Sequence, residues 1–134
     1  MKVDELKKLG FEYIGFWFEK KNGIDFRLTK FAQNRCVYAF VVVDEVVYVG
    51  VCESFNTTLK QRMMRIVKAR GPEGSTSVRL REKIAECLRK GIKVLIYALS
   101  PRFRVEYAGV EVDILLGLEH SIIHRHKPLW NRKI

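Results

Sequence analysis

The sequence predicts an α/β (α+β) fold: a small mixed sheet of three central strands flanked by helices, widened by a β-hairpin near the N-terminus. Three observations predict it. Residues 36–50, CVYAFVVVDEVVYVG, hold two aromatic and β-branched runs separated by Asp44-Glu45, a gap that brings them back antiparallel. Residues 59–67, 75–90 and 110–125 carry apolar side chains at helical spacing, which marks amphipathic helices. A third strand-like run, 92–99, lies between the second and third of those helices. At 134 residues the chain is the size of one domain with its own core. Residues 1–35 are expected to form an extension, a short helix plus hairpin, on a core of residues 36–132.

Each element has a local reason. Residues 4–9 predict a short helix with Leu6 and Leu9 inward and Gly10 as its stop. Phe11 to Glu19 alternates aromatic and small residues, and Asn22-Gly23 is the favoured pair for a type I′ turn into 24–29. In the central hairpin, Tyr38 and Tyr48 sit at similar offsets from the turn, so pairing brings the phenols together at the end away from Asp44-Glu45. A buried phenol requires a hydrogen-bond partner that Phe does not, and the pair is therefore a candidate site. Residues 51–58 end in Asn56-Thr57-Thr58, any of which caps a helix. Its inward face is Leu59, Met63, Ile66 and Val67, while Lys60, Arg62, Arg65, Lys68 and Arg70 lie elsewhere on the wheel.

Gly71-Pro72-Glu73-Gly74 ends that helix. Ser75 or Ser77 caps the next, which runs to Lys90 with Leu80, Ile84, Cys87 and Leu88 inward and Gly91 beyond. Phe103, Val105 and Tyr107 alternate, so 101–107 is an extended connection or a short edge strand. Gly109 precedes the last helix, expected from Val110 or Glu111 to Arg125, striped by Ile114, Leu115, Leu118, Ile122 and Ile123 and ended by Pro128.

Charge bounds the function. Lys and Arg number 25 against 15 Asp and Glu, a net +10, which favours nucleic acid first and an anionic membrane surface second. The cations are spread over 60–70, 79–93 and 124–133, as a folded basic face requires. No apolar run reaches the ~20 residues of a membrane span, so no membrane partner is expected. No apolar signal core follows the N-terminal charges. Cys36, Cys52 and Cys87 are an odd set without a CxxC pair, which points to a reducing, cytoplasmic setting rather than a disulfide framework or zinc ribbon. The absence of GxxxxGK[ST], GxGxxG and GxSxG argues against a P-loop, a dinucleotide fold and a serine hydrolase.

Glu119 lies at the edge of the last helix's stripe, where a carboxylate is either a surface charge or a metal ligand reaching into a cleft. Arg62 has the same two readings. His120 and His124 share a helix face at HxxxH spacing but lack the intervening Glu and a third ligand of a zinc site. His126 is placed to face a phosphate backbone.

In order, Val37-Tyr38, Tyr48-Val49-Gly50, Leu59-Lys60-Gln61-Arg62, Leu118-Glu119 and Lys127-Pro128-Leu129-Trp130-Asn131 resemble the GIY-YIG nuclease superfamily over residues 35–132. The run LLGLEHSIIHRHKPLWN is similar to the nuclease of the bacterial excision-repair incision subunit; the superfamily also includes phage homing endonucleases. Departures from the pattern are Cys36 for glycine, Val49 for isoleucine, Val51 for lysine, Ile66 for histidine, and a longer loop at 52–58. The resemblance implies a DNA endonuclease using one divalent ion, Mg²⁺ (or Mn²⁺), ligated by Glu119. It makes Tyr38, Tyr48, Arg62, Glu119 and Asn131 the catalytic set, with Tyr48 favoured over Tyr38 as general base and the exchange of roles left open. Gly50 and Lys127 come with the motifs, and Arg65, Lys68 or His124 are candidates for the missing histidine's place. With His126 these are the expected substrate contacts. Specificity is expected from residues 1–35, the surface loops, a homodimer or a partner protein. Two rivals stand beside this reading: a catalytically silent nucleic-acid-binding module and an RNA-associated basic protein. The nuclease reading requires Tyr38, Tyr48, Arg62 and Glu119 to converge within reach of one phosphate.

Overall fold

The computed structural model describes residues 1–52, 57–72, 74–101 and 104–131. Asn56 and Phe103, the core limit at 132, and most of the loop expected to be longer lie outside the described residues.

Helix α1 (Val3–Lys8) buries Val3 and Leu6. Strands β1 (Glu12–Lys20) and β2 (Gly23–Leu28) form the first hairpin with Lys20 opposite Gly23. The connecting pair is thus Lys21-Asn22, neither with positive φ, and the type I′ turn expected at Asn22-Gly23 does not form. Strands β3 (Cys36–Val42) and β4 (Glu45–Cys52) form the central hairpin with Val42 opposite Glu45. Its turn is Val43-Asp44, at φ of 47° and 64°, one residue earlier than Asp44-Glu45. Positive φ at both positions is the type I′ geometry, here with a β-branched residue in a region such residues rarely adopt. Val43 is 76% exposed, so no packing compensates. Val43→Asn is expected to stabilise the fold by about 1 kcal/mol and raise Tm by about 4 °C; an unchanged or lower Tm would show the turn to be unstrained.

Helix α2 (Leu59–Val67) starts at Thr58, whose hydroxyl accepts from the Gln61 N–H while the Gln61 side chain accepts from the Thr58 N–H, a capping box. Helix α3 (Thr76–Arg89) is capped by Ser75, and β5 (Leu95–Leu99) follows. Strands β6 (Val105–Tyr107) and β7 (Val110–Val112) make a small separate hairpin. Helix α4 (Ile114–His126) therefore begins four residues after Val110, because Asp113 caps it by accepting from the Leu115 and Leu116 N–H groups. Lys127 closes it at φ 46°, and a 3-10 turn (Leu129–Asn131) follows.

The main sheet has the order β2-β1-β5-β3-β4, and every pairing is antiparallel. The three central strands are those expected, β5, β3 and β4. Among the described residues the sheet has five strands, because the first hairpin joins it through β1 and β5, and no pair is parallel, so the expected mixed sheet is antiparallel. One face carries Trp17, Tyr38, Phe40, Tyr48 and Ile96 against Leu59, Met63 and Ile66 of α2 and Leu80 and Ile84 of α3. The other carries Val37, Ala39, Val41, Val49 and Tyr97 against Leu6 of α1 and Leu115 and Ile122 of α4. Strand β3 is buried on both faces through Val41, as its unbroken apolar run requires. Among the described residues, no helix is long and apolar enough to cross a membrane.

Candidate active site

Strand β4 is the last in the sheet order, and there the layers meet. Helix α4 packs on one face, while Trp130 of the 3-10 turn belongs to the core of the other, so the chain after α4 passes round the β4 edge. Asn131 fixes that passage. Its side-chain N–H₂ donates to the Val49 C=O at 2.9 Å, and its carbonyl accepts from the Val49 N–H at 2.9 Å.

Tyr38 and Tyr48 face the α2–α3 side. Their register is Tyr38 opposite Gly50 and Tyr48 opposite Phe40, so Tyr48 lies nearer the turn than Tyr38 and the similar offsets expected do not hold; the tyrosines meet as diagonal neighbours with ring centroids 6.1 Å apart. Gly50 makes this possible. A Cβ there would meet the Tyr38 hydroxyl, with ring atoms Cζ and Cε1 at 2.5 and 2.9 Å. The Tyr38 ring crosses the space a side chain at 50 would fill. Tyr38 is 1% and Tyr48 9% exposed. Burial pushes the Tyr38 phenol well above its ordinary range, and Tyr48 beside it adds to the shift. Burial also raises Tyr48, opposed by its hydrogen bond with Tyr38 and by the Arg62 guanidinium. The interaction between the two phenols raises Tyr38 and lowers Tyr48, so of the two Tyr48 is the one more readily ionised.

Arg62 enters from the first turn of α2, held there by the Thr58–Gln61 cap. Its Nη2 donates to the Val51 C=O at 3.4 Å. Its buried Nε has no hydrogen-bond partner among the described residues. Its charge acts on both tyrosines, lowering each pKa. Glu119 enters from α4, half-buried, close enough to raise the Tyr48 pKa. Of the predicted set, Tyr38 and Tyr48 are ring neighbours, Arg62 acts electrostatically on both, and Glu119 acts on Tyr48.

A fifth group joins them. Arg79 of α3 lowers the Tyr48 pKa and donates to the Trp130 C=O at 2.8 Å. Sequence reasoning missed it, although a cation near a helix N-terminus works against the macrodipole, and that was the available signal. Cys36, the departure from glycine, lies opposite Cys52. Their thiols are hydrogen-bonded, which raises Cys36 and lowers Cys52, with Arg62 also lowering Cys52.

The remaining predicted contacts lie farther out. Arg65 and Lys68 are exposed, at ~4.5 and ~9 Å from Arg62 along the helix direction at 1.5 Å per residue. His124 stacks on His120 with centroids 6.2 Å apart, both exposed; His126 is half-buried and Lys127 exposed. These last three follow Glu119 by five to eight residues, and no described interaction ties them to the tyrosines. Among the described residues no three His, Cys, Asp or Glu form a metal cluster. Glu119, whose charge acts on Tyr48, is a single carboxylate, a ligand type that suits a hard, largely hydrated Mg²⁺.

The chain shares its fold with solved nucleases. A mutant of bacteriophage T4 EndoII superposes with a TM-score of 0.72 at 21% identity, covering 98% of this chain and 100% of that one. Restriction endonuclease HPY188I in complex with product DNA superposes with a TM-score of 0.54 at 14% identity, covering 100% of this chain and 84% of that one. No family model and no curated protein sequence matches the chain.

Proposed function

We propose that the protein is a metal-dependent DNA endonuclease of the GIY-YIG type, cutting phosphodiesters by attack of water. The observation that carries this is the buried Nε of Arg62, unpartnered among the described residues, beside a pair of buried tyrosines with rings 6.1 Å apart, on which Arg62 acts electrostatically, with Arg79 and Glu119 also acting on Tyr48. The two solved structures of like fold lend support, one being phage EndoII and the other a restriction endonuclease with product DNA.

The residues divide the work by chemistry. The buried Nε of Arg62 is a donor without a partner among the described residues, and a buried orphan donor costs about 1–3 kcal/mol. A phosphate oxygen would satisfy it, with the guanidinium offsetting charge developed in the transition state. Tyr48 takes the proton of the attacking water. Tyr38 donates to the Tyr48 oxygen and so aims its remaining lone pairs, while Arg62 and Arg79 stabilise the phenolate against the burial that disfavours it. Glu119 would hold one Mg²⁺ (or Mn²⁺), which when bound supplies Lewis-acid stabilisation of phosphate charge and lowers the pKa of water. Asn131 acts as a positioning residue, locking the turn to Val49 beside Tyr48. Gly50, Arg65, Lys68, His124, His126 and Lys127 are the proposed substrate contacts: Gly50 through the room it leaves for Tyr38, the others through phosphates outside the cut.

Supercoiled plasmid with Mg²⁺ tests this. Nicking is expected, is lost in EDTA, and speeds about tenfold per pH unit below the Tyr48 pKa, because the raised pKa leaves Tyr48 protonated at neutral pH. Binding without nicking across several substrates would instead support the silent module.

A further inference from the structure

Two adjoining grooves beyond the tyrosine site concentrate cations. One, of about 810 Å³, lies between the first hairpin and α3 and is lined by Lys20, Lys68, Arg70, Arg81 and Arg89. The other, of about 700 Å³, lies alongside α2 and is lined by Lys60, Arg65, Lys68 and Arg70. They share residues 68–70, and among the described residues Glu82 is the only carboxylate lining either. Arg81 donates to the Ala69 C=O, tying that shared ridge to α3. Lys20 has Asp25 at 3.6 Å. Lys68, Arg70 and Arg89 are exposed and form no ion pair among the described residues. Like charges gathered around a concave surface repel one another and attract a polyanion.

Two further features narrow the ligand. Helix α2 leads from Arg62 toward the ridge, and Lys68 lies ~9 Å along it, two to three phosphates along a duplex axis at ~3.4 Å per phosphate. Among the described residues, no Phe, Tyr or Trp lines either groove, so neither offers a platform on which unpaired bases stack. We infer that the double groove is a track for the sugar-phosphate backbone of duplex DNA on one side of the cut, gripping it without reading sequence. This rests on the nuclease reading and extends it to residues outside the motifs: Lys20, Arg70, Arg81 and Arg89. A groove in series with the cleavage site fits the flank of the cleaved polymer better than a separate anionic ligand.

The test is binding of a labelled mixed-sequence duplex in EDTA, where cleavage plays no part. Against the parent, Arg70→Ser/Arg89→Ser is expected to bind at least tenfold more weakly and to show a salt dependence of log K shallower by about 2, since each phosphate contact contributes ~0.9. The loss should be equal for unrelated sequences. Arg70→Lys/Arg89→Lys should keep the parent's slope, and single Arg89→Ser, at an exposed position, reports half the effect should the double variant fail to fold. An unchanged slope, a loss confined to one sequence, or a loss for heparin or single-stranded DNA exceeding that for duplex would overturn the inference. Because no cleavage is read, a wild type that binds but never nicks defeats the nuclease reading alone. A wild type that nicks with an unaltered salt slope in the variant defeats the groove alone.

Discussion

Glu119→Gln is expected to reduce nicking at least 10³-fold while leaving duplex affinity in EDTA within about twofold of wild type. The substitution keeps the shape and removes the charge, and two consequences oppose each other. Glu119 raises the Tyr48 pKa, so its loss alone would ease ionisation of the base and move the pH–rate profile to lower pH. Loss of the metal's carboxylate removes charge stabilisation of several kcal/mol, and about 4 kcal/mol corresponds to 10³ in rate. The second effect dominates if Glu119 is a ligand. If it is only an electrostatic neighbour of Tyr48, the variant cuts as fast as wild type or faster, with its profile shifted to lower pH, and the assignment of Glu119 fails. The direction of change, more than its size, decides.

Gly50→Ala should cost stability and activity together. The new methyl would lie 2.5 Å from Tyr38 Cζ and 2.9 Å from Cε1, so the ring must move, and over-packing of this kind costs about 1–3 kcal/mol. Moving Tyr38 also breaks its hydrogen bond to Tyr48, and cleavage should fall well beyond what the unfolded fraction explains. Tyr38→Phe in the same background is not expected to restore stability, because the clash includes ring carbons as well as the hydroxyl. Urea unfolding of the single and double variants beside plasmid nicking checks both parts. A Gly50→Ala variant as stable as wild type would show that the ring has another place to go.

The central hairpin was legible because its runs are long, apolar and rich in β-branched residues, and because each carries one tyrosine. Its turn was misplaced by one residue, since Val43 is a residue type that local rules keep out of left-handed backbone. The first hairpin failed the other way: Asn22-Gly23 is the favoured pair, yet the β1–β2 register, with Lys20 opposite Gly23, puts Lys21-Asn22 in the turn. The pairing of β1 with β5 joins strands separated by the whole central hairpin and two helices, a choice local periodicity does not encode. Val110-Glu111-Val112 reads as easily into a helix as into a short strand, and only Asp113 as a cap separates them. At the candidate site, the nearness of Arg62 and Glu119 to Tyr48, seen in their action on its charge, was expected from the order of motifs alone. Arg79 was not, because it belongs to none of those motifs and its reach across to Trp130 and Tyr48 depends on how α3 packs.

The amide of Asn131 has a consequence for how the protein behaves among its own copies. An outermost strand normally presents unpaired N–H and C=O groups that invite another chain to extend the sheet. Along β4, Asn131 occupies both groups of Val49, while the Met1 C=O accepts from Val46 and the Asp44 C=O is taken by the Val3 N–H. The strand bearing Tyr48 is thus closed to strand addition at both ends. The edge that carries Tyr48 stays open to a polyanion without becoming a template for strand addition.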